Sequence, residues 1–113
     1  MESILVSVKN LLGITNEDVS FDSILIMHIN SVLSVLHQLG VGPENGFSIA
    51  DEFSKWTDIL PVDDSKFELV KSYVYLKVKL LCDPPTISAV AESNKRLCDE
   101  LEWRITVAAD SAK

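Results

Sequence analysis

Residues 65–107 read SKFELVKSYVYLKVKLLC (65–82), DPPT (83–86) and ISAVAESNKRLCDELEWRITV (87–107). Two long periodic segments meet at Asp83-Pro84-Pro85-Thr86. Each proline lacks a backbone donor and has a fixed φ, so no helix runs through the pair. Pro84 also moves Asp83 out of the helical region. The Thr86 hydroxyl can cap the segment that follows. The stretch predicts a helical hairpin with a rigid corner, onto which the earlier chain folds. In the first arm, about 65–81, Val70, Tyr73, Val74, Lys77, Val78 and Leu81 lie along one side, and Phe67, Leu76 and Leu80 widen it. Asp63 or Asp64 can cap its start. In the second arm, about 87–108, Ile87, Val90, Asn94, Leu97, Cys98, Leu101, Ile105 and Ala108 form a stripe of 3.6-residue period. Arg96–Glu100 and Glu100–Arg104 are expected ion pairs on its other side. Residues 110–113 read as a frayed tail.

Working back from the hairpin, residues 1–12 (MESILVSVKNLL) place Ile4, Leu5, Val8, Leu11 and Leu12 at three- and four-residue steps. They predict a helix closed by Gly13. A polar link, TNEDVS, follows, in which Ser20 or Asp22 can cap a second helix over about 21–39, ending at Gly40. Apolar residues cover more than half of that helix, so it is expected to be central in the core or buried between subunits. Residues 41–61 change character. Gly42-Pro43 and Asn45-Gly46 are turn dipeptides. Phe47 and Ile49 alternate with Ser48 and Ala50 as in a short extended piece. Phe53, Trp56, Ile59 and Leu60 fall at helical spacing. The whole predicts an all-α fold: a compact bundle of four main helices, with a short helix or extended piece in the 41–64 loop.

A chain of 113 residues makes one domain with a modest core. Hydrophobic residues at 47% and charged ones at 24% are those of a globular protein. The net charge of −7 makes nucleic acid an unsuitable partner for the chain as a whole. The most apolar run, 24–39, holds His28, Asn30, Ser31, Ser34, His37 and Gln38, too polar for a membrane span. Cys82 and Cys98 lack metal-site spacing. They read as buried reduced thiols, with a disulfide or a reactive thiol as alternatives. So few cysteines and no signal peptide point to a reducing, intracellular origin.

The charge is unevenly spread. Residues 41–64 carry one lysine and six acids, net −5, whereas residues 65–82 carry four lysines and one acid, net +3. Either the two regions neutralise each other within one chain, or the acidic loop of one copy faces the basic helix of the next. The second arrangement is a head-to-tail contact of the kind that closes rings. The lysines do not form one stripe, so they make no phosphate-tracking groove.

No catalytic pattern emerges. His28 and His37 are nine residues apart on one helix and point to opposite sides, so they cannot share a metal. HExxH, CxxC, EF-hand, GxSxG and P-loop patterns are absent. The glycines sit at helix ends and turns. The expectation is a protein that is not an enzyme and holds no cofactor or metal. Trp103 lies beside the last helix's stripe and reads as core or core edge. Trp56 reads either as a lid on the core or as an anchor at a subunit contact, since tryptophan is frequent among binding hot spots. The contact residues named by these arguments are Phe47, Asp51, Phe53, Trp56, Asp58, Lys71 and Lys79.

The order of features resembles a known family. VKNLLGI (8–14) ends a short first helix, and an acidic link leads to IMHINSVLSVLHQLGVGP (26–43). Then come GFSIADEFSKW (46–56), LVKSYVYLKVKLLCDPP (69–85) and LCDELEWRI (97–105). The most specific pieces are HIN (28–30), QLGVGP (38–43), YVYLKVKLLCDPP (73–85) and EWR (102–104). Nearly the whole chain resembles the small head–tail connector, or adaptor, proteins of tailed bacteriophages and prophages, though with a less charged first helix and link. The resemblance implies a helical, non-enzymatic structural protein of the virion neck, present in the host cytoplasm before assembly. It implies a homo-oligomeric ring of about a dozen copies beneath the portal protein, offering a docking surface to a stopper or tail protein. DNA would pass through without sequence-specific binding, and no membrane is involved. The alternative from the residues alone is a small intracellular helical protein-binding or regulatory domain using its acidic loop on a basic partner.

Overall fold

The computed structural model describes residues 3–82 and 86–111. Four α-helices carry the fold: α1 (Ile4–Leu11), α2 (Asp22–Gln38), α3 (Phe67–Cys82) and α4 (Ser88–Ser111). A 3-10 turn, Trp56–Asp58, lies in the strap between α2 and α3. The described residues form no strand, only an isolated bridge between Ser3 and Lys55. The expected all-α class is therefore correct. The Asp83-Pro84-Pro85 corner lies outside the described residues, but the two arms that it joins are both present. α4 continues through Ser111, into the segment expected to fray.

Local chemistry explains the helix ends. Ser3 caps α1, its Oγ accepting from the Val6 amide. α1 and α2 close in the same way. Gly13 and Gly40 adopt φ of 78° and 95°, the left-handed region in which glycine alone is unstrained. The Ile14 amide then reaches back to Lys9 O (2.9 Å), and the Val41 amide to Leu36 O (3.0 Å). This is the six-to-one closure of a Schellman motif. The start of α2 differs from expectation. No side chain caps it, and Ser20 donates to Asp18 instead. Asp22 is committed to Lys9, whose side chain is almost fully buried at the end of α1. Lys9 Nζ lies 2.9 Å from Asp22 Oδ1 and donates to Asn16 O at 3.2 Å. Asp22 Oδ1 is held by the ion pair alone, without an aligned hydrogen bond. A buried ammonium requires such a counter-charge, and the pair fixes the acidic link between α1 and α2.

α3 packs on all three other helices, most extensively on α2 and α4. The core is one cluster drawn from every element, including Leu25, Ile29, Val32, Leu33 and Leu36 of α2 and Val70, Tyr73, Val74 and Val78 of α3. The breadth of the apolar face of α2 is only partly used. Ile24 and Met27 remain exposed, and Ile26, Val35 and Leu39 are half-buried.

The strap between α2 and α3 is pinned by side chains. Asn30 of α2 pairs with the backbone of Ile49 in both directions. Its Nδ2 donates to Ile49 O (3.0 Å), and its Oδ1 accepts from the Ile49 amide (2.7 Å). The carboxamide thus replaces a neighbouring strand and satisfies both polar groups of a buried residue. Ile49 points inward, while Ser48 and Ala50 face solvent. Further along, the Ile4 amide donates to Ser54 O (3.0 Å), tying the strap to the start of α1. Val41, Ile49, Trp56, Ile59 and Leu60 all enter the core, which is why the segment holds its course with so little regular structure.

Candidate functional site

The residues expected to form contacts divide by position. Asp51, Phe53, Asp58 and Lys79 are exposed, Phe47 and Lys71 are half-buried, and Trp56 is internal. Phe53, 75% exposed, stands at the tip of the acidic loop. Its amide donates to Asp51 Oδ1 (2.9 Å), a turn that holds the tip in shape. Asp58 Oδ2 accepts from the Lys55 amide (2.9 Å) and so caps the 3-10 turn from outside. Phe47 lines a small polar depression with Asn30, Ser34 and His37.

Trp56 is only 2% exposed and lies in this chain as a lid on the core. Its Nε1 donates to Ser7 Oγ on α1 (3.2 Å), and its ring meets Tyr75 edge-on with centroids 5.5 Å apart. The Lys71 ammonium lies 5.8 Å from the Trp56 centroid and 5.6 Å from that of Phe67. Lys71 therefore closes the corner beside Trp56 through cation–π attraction. These contacts explain why an indole in a polar segment folds inward: α1 supplies the acceptor for its only side-chain donor, and α3 supplies the edge-on aromatic partner.

Among the described residues, charges pair both at the loop–helix junction and between helices. Lys66 and Asp64 pair at 3.0 Å across the loop–helix junction, and the Lys66 amide holds the Asp64 carboxyl below the usual range. Lys77 approaches Glu102 of α4 at 4.0 Å. Lys79 has no ion-pair partner among the described residues, and Asp51 and Asp58 remain at the surface.

α4 departs most from expectation. Cys98, Leu101, Ile105 and Ala109 are buried, but Ile87, Val90 and Leu97 are exposed. The helix has 24 residues against 16 in α3, about 36 Å against 24 Å. Its first turns run past the helices that would cover the stripe. Trp103, read as core or core edge, is 66% exposed, with Val107 one turn on. At about 100° per residue, Trp103 lies about 160° from the centre of the buried row. That angle was available in the sequence and outweighs its nearness to the stripe. Arg96 turns to Glu92 (3.7 Å) rather than to Glu100.

Two apolar grooves lie on the surface. One, about 450 Å³, is lined by Leu12, Ile14, Phe21, Ile24, Leu25, His28, Leu81 and Cys82. The other, about 290 Å³, is lined by Leu11, Ser72, Tyr75, Leu76, Lys79, Leu97 and Leu101. Among the described residues, no group of three or more His, Cys, Asp or Glu could hold a metal ion. Cys82 is half-buried and Cys98 buried, and they are not joined in a disulfide. Burial pushes the Cys98 thiol up, against the pull of Lys77. No helix among the described residues is long and apolar enough to cross a membrane.

Tyr73, at the centre of the bundle, donates its hydroxyl to Glu102 Oε2 (3.0 Å). Burial first, and then this carboxylate, push its pKa well above the ordinary 10.0. The folded chain thus favours the neutral phenol. The associated stability is complete below about pH 10, the unfolded value, and is lost as pH rises through the folded one. Melting temperature is expected to fall above about pH 10, and more steeply in the wild type than in Tyr73→Phe. Thermal melts of both proteins across that range measure the difference; identical slopes would refute the assignment.

A sequence model of the family described as phage connector protein matches residues 4–112. No curated protein and no solved structure matches the chain.

Proposed function

The chain belongs to the phage connector protein family, and from that premise we propose that it is a head–tail connector subunit, forming a homo-oligomeric ring between the portal protein and the stopper or tail of a tailed phage. The ring has about a dozen copies and lies in the virion neck. Its subunits are made in the host cytoplasm and join the neck afterwards. DNA passes through the ring without being read. α2 and the 41–64 segment supply much of the contact between subunits, the segment through Asp51, Phe53 and Asp58 at the surface with Phe47 behind them, and Lys71 and Lys79 of α3 complete the contact. The role is structural and requires no catalytic group.

The observation that carries this reading is the apolar surface left uncovered on a well-packed monomer. Trp103 and Val107 on the outer side of α4, Ile87 and Val90 at its start, and Phe53 at the loop tip are all exposed. Rows of large apolar side chains in water mark surfaces that partners cover. The test is to incubate the purified chain with the portal protein of the same phage and weigh the product by sedimentation. A complex with about one chain per portal subunit is expected. A chain that stays monomeric beside the portal at high concentration would overturn the reading.

A further inference from the structure

The second groove, between the end of α1, the middle of α3 and α4, has an apolar floor of Leu11, Tyr75, Leu76, Leu97 and Leu101 and carries Lys79 on its edge. Arg104 follows Leu97 by seven residues and Leu101 by three, so it lies along the same side of α4, as does Glu100. Lys79 is thus the charged residue of the lining, and Arg104 and Glu100 lie beside it on α4. The Phe53 loop has the opposite character. One large apolar ring, 75% exposed, is flanked by exposed Asp51 and Glu52. A groove of about 290 Å³ accommodates a phenyl ring, since an apolar cavity of about 150 Å³ already takes benzene.

Phe53 does not fill the groove of its own chain, since its ring is left in solvent. Ser54 O is hydrogen-bonded to the Ile4 amide, which anchors the loop at the start of α1, whereas Leu11 places the groove at its end. Seven residues of helical rise, about 10 Å, separate the two anchors. The loop is also held in shape by the Asp51–Phe53 hydrogen bond, so little ordering entropy is lost when it binds. We infer that the Asp51-Glu52-Phe53 tip of one copy docks in the Leu11–Tyr75–Leu97 groove of the next, with Phe53 on the apolar floor and the two carboxylates beside Lys79. The occupant is a second copy of this chain because charge and shape match within one sequence. Donor and acceptor are different patches, so the contact is heterologous and repeats from copy to copy until a ring closes. The inference rests on the ring reading above for closure, not for the pairing itself.

Two measurements test it. A Phe53→Cys chain mixed with a Leu97→Cys chain is expected to form a mixed disulfide at least about ten times faster than Phe53→Cys mixed with Gln38→Cys, a surface site outside the groove. The wild-type chain, with Cys82 and Cys98, sets the background. Separately, Lys79→Glu is expected to weaken self-assembly about tenfold or more, and Asp51→Lys with Glu52→Lys in the neighbouring copies to restore it. All of these positions are exposed, so the fold tolerates the changes. Cross-linking no faster than the Gln38 control, or Lys79→Glu assembling like the wild type, overturns the pairing. Rings that form without the cross-link discard the pairing and keep the ring. Cross-linked dimers or open filaments keep the pairing and discard the ring.

Discussion

Trp56→Ala is expected to destabilise the fold by about 3–5 kcal/mol, a large share of the total stability of a domain of this size. Trp56 fills the junction of the strap, α1 and α3, and its loss leaves a cavity that these three anchored elements cannot collapse to fill. It also removes the donor to Ser7 Oγ, the edge contact with Tyr75 and the ring beneath Lys71. Melting temperature is expected to drop by more than about 10 °C. Trp56→Phe keeps an aromatic ring and loses the hydrogen bond, so it is expected to cost about 1–2 kcal/mol. Thermal and urea unfolding, followed by circular dichroism, measure both. An alanine variant that melts within a degree or two of the wild type would contradict the placement of Trp56. Any loss of assembly in this variant follows from loss of the fold, the reverse of the order expected of a surface anchor.

Trp103→Ala is expected to do the opposite. The side chain is 66% exposed on the outer side of α4, and surface substitutions of this kind alter stability by about 0.5 kcal/mol or less. Melting should be unchanged. Tryptophan at the centre of an interface contributes about 2 kcal/mol or more, so assembly on the portal is expected to weaken roughly 30-fold. Sedimentation of the variant with the portal protein reads this directly. Full-strength assembly would remove Trp103 from the interface and leave the outer side of α4 without a role. The two variants are thus expected to separate folding from assembly.

Much of the architecture was legible in the residues. The three-and-four spacing of Ile4, Leu5 and Val8 and of Leu25, Ile29, Val32 and Leu36 marks helix faces that are buried as expected. Gly13 and Gly40 mark helix ends because only glycine readily takes the backbone that the closures need. The contacts of the 41–64 strap were far less legible. Nothing in IMHINSV indicates that Asn30 will bind the backbone of Ile49 nineteen residues away, or that Ser7 will accept from Trp56. Asp22 looked like a helix cap because its local position suits one. The buried Lys9 ammonium, a long-range partner, claims it instead.

What the order of residues settles here is everything that depends on neighbours in the chain. Helix faces repeat with the 3.6-residue turn, glycines close the helices locally, and no helix is expected to run through paired prolines. The family membership follows from the same ordered pattern. What depends on distant elements was decided only by packing. Lengths and offsets of α3 and α4 determine how much of the α4 stripe is covered, which leaves Ile87, Val90 and Leu97 exposed. The fate of each tryptophan depends on the surface it meets. Trp56 finds an acceptor and an aromatic partner on α1 and α3, whereas Trp103 stays 66% exposed. Burial is a property of two surfaces meeting, and a periodic pattern describes only one of them.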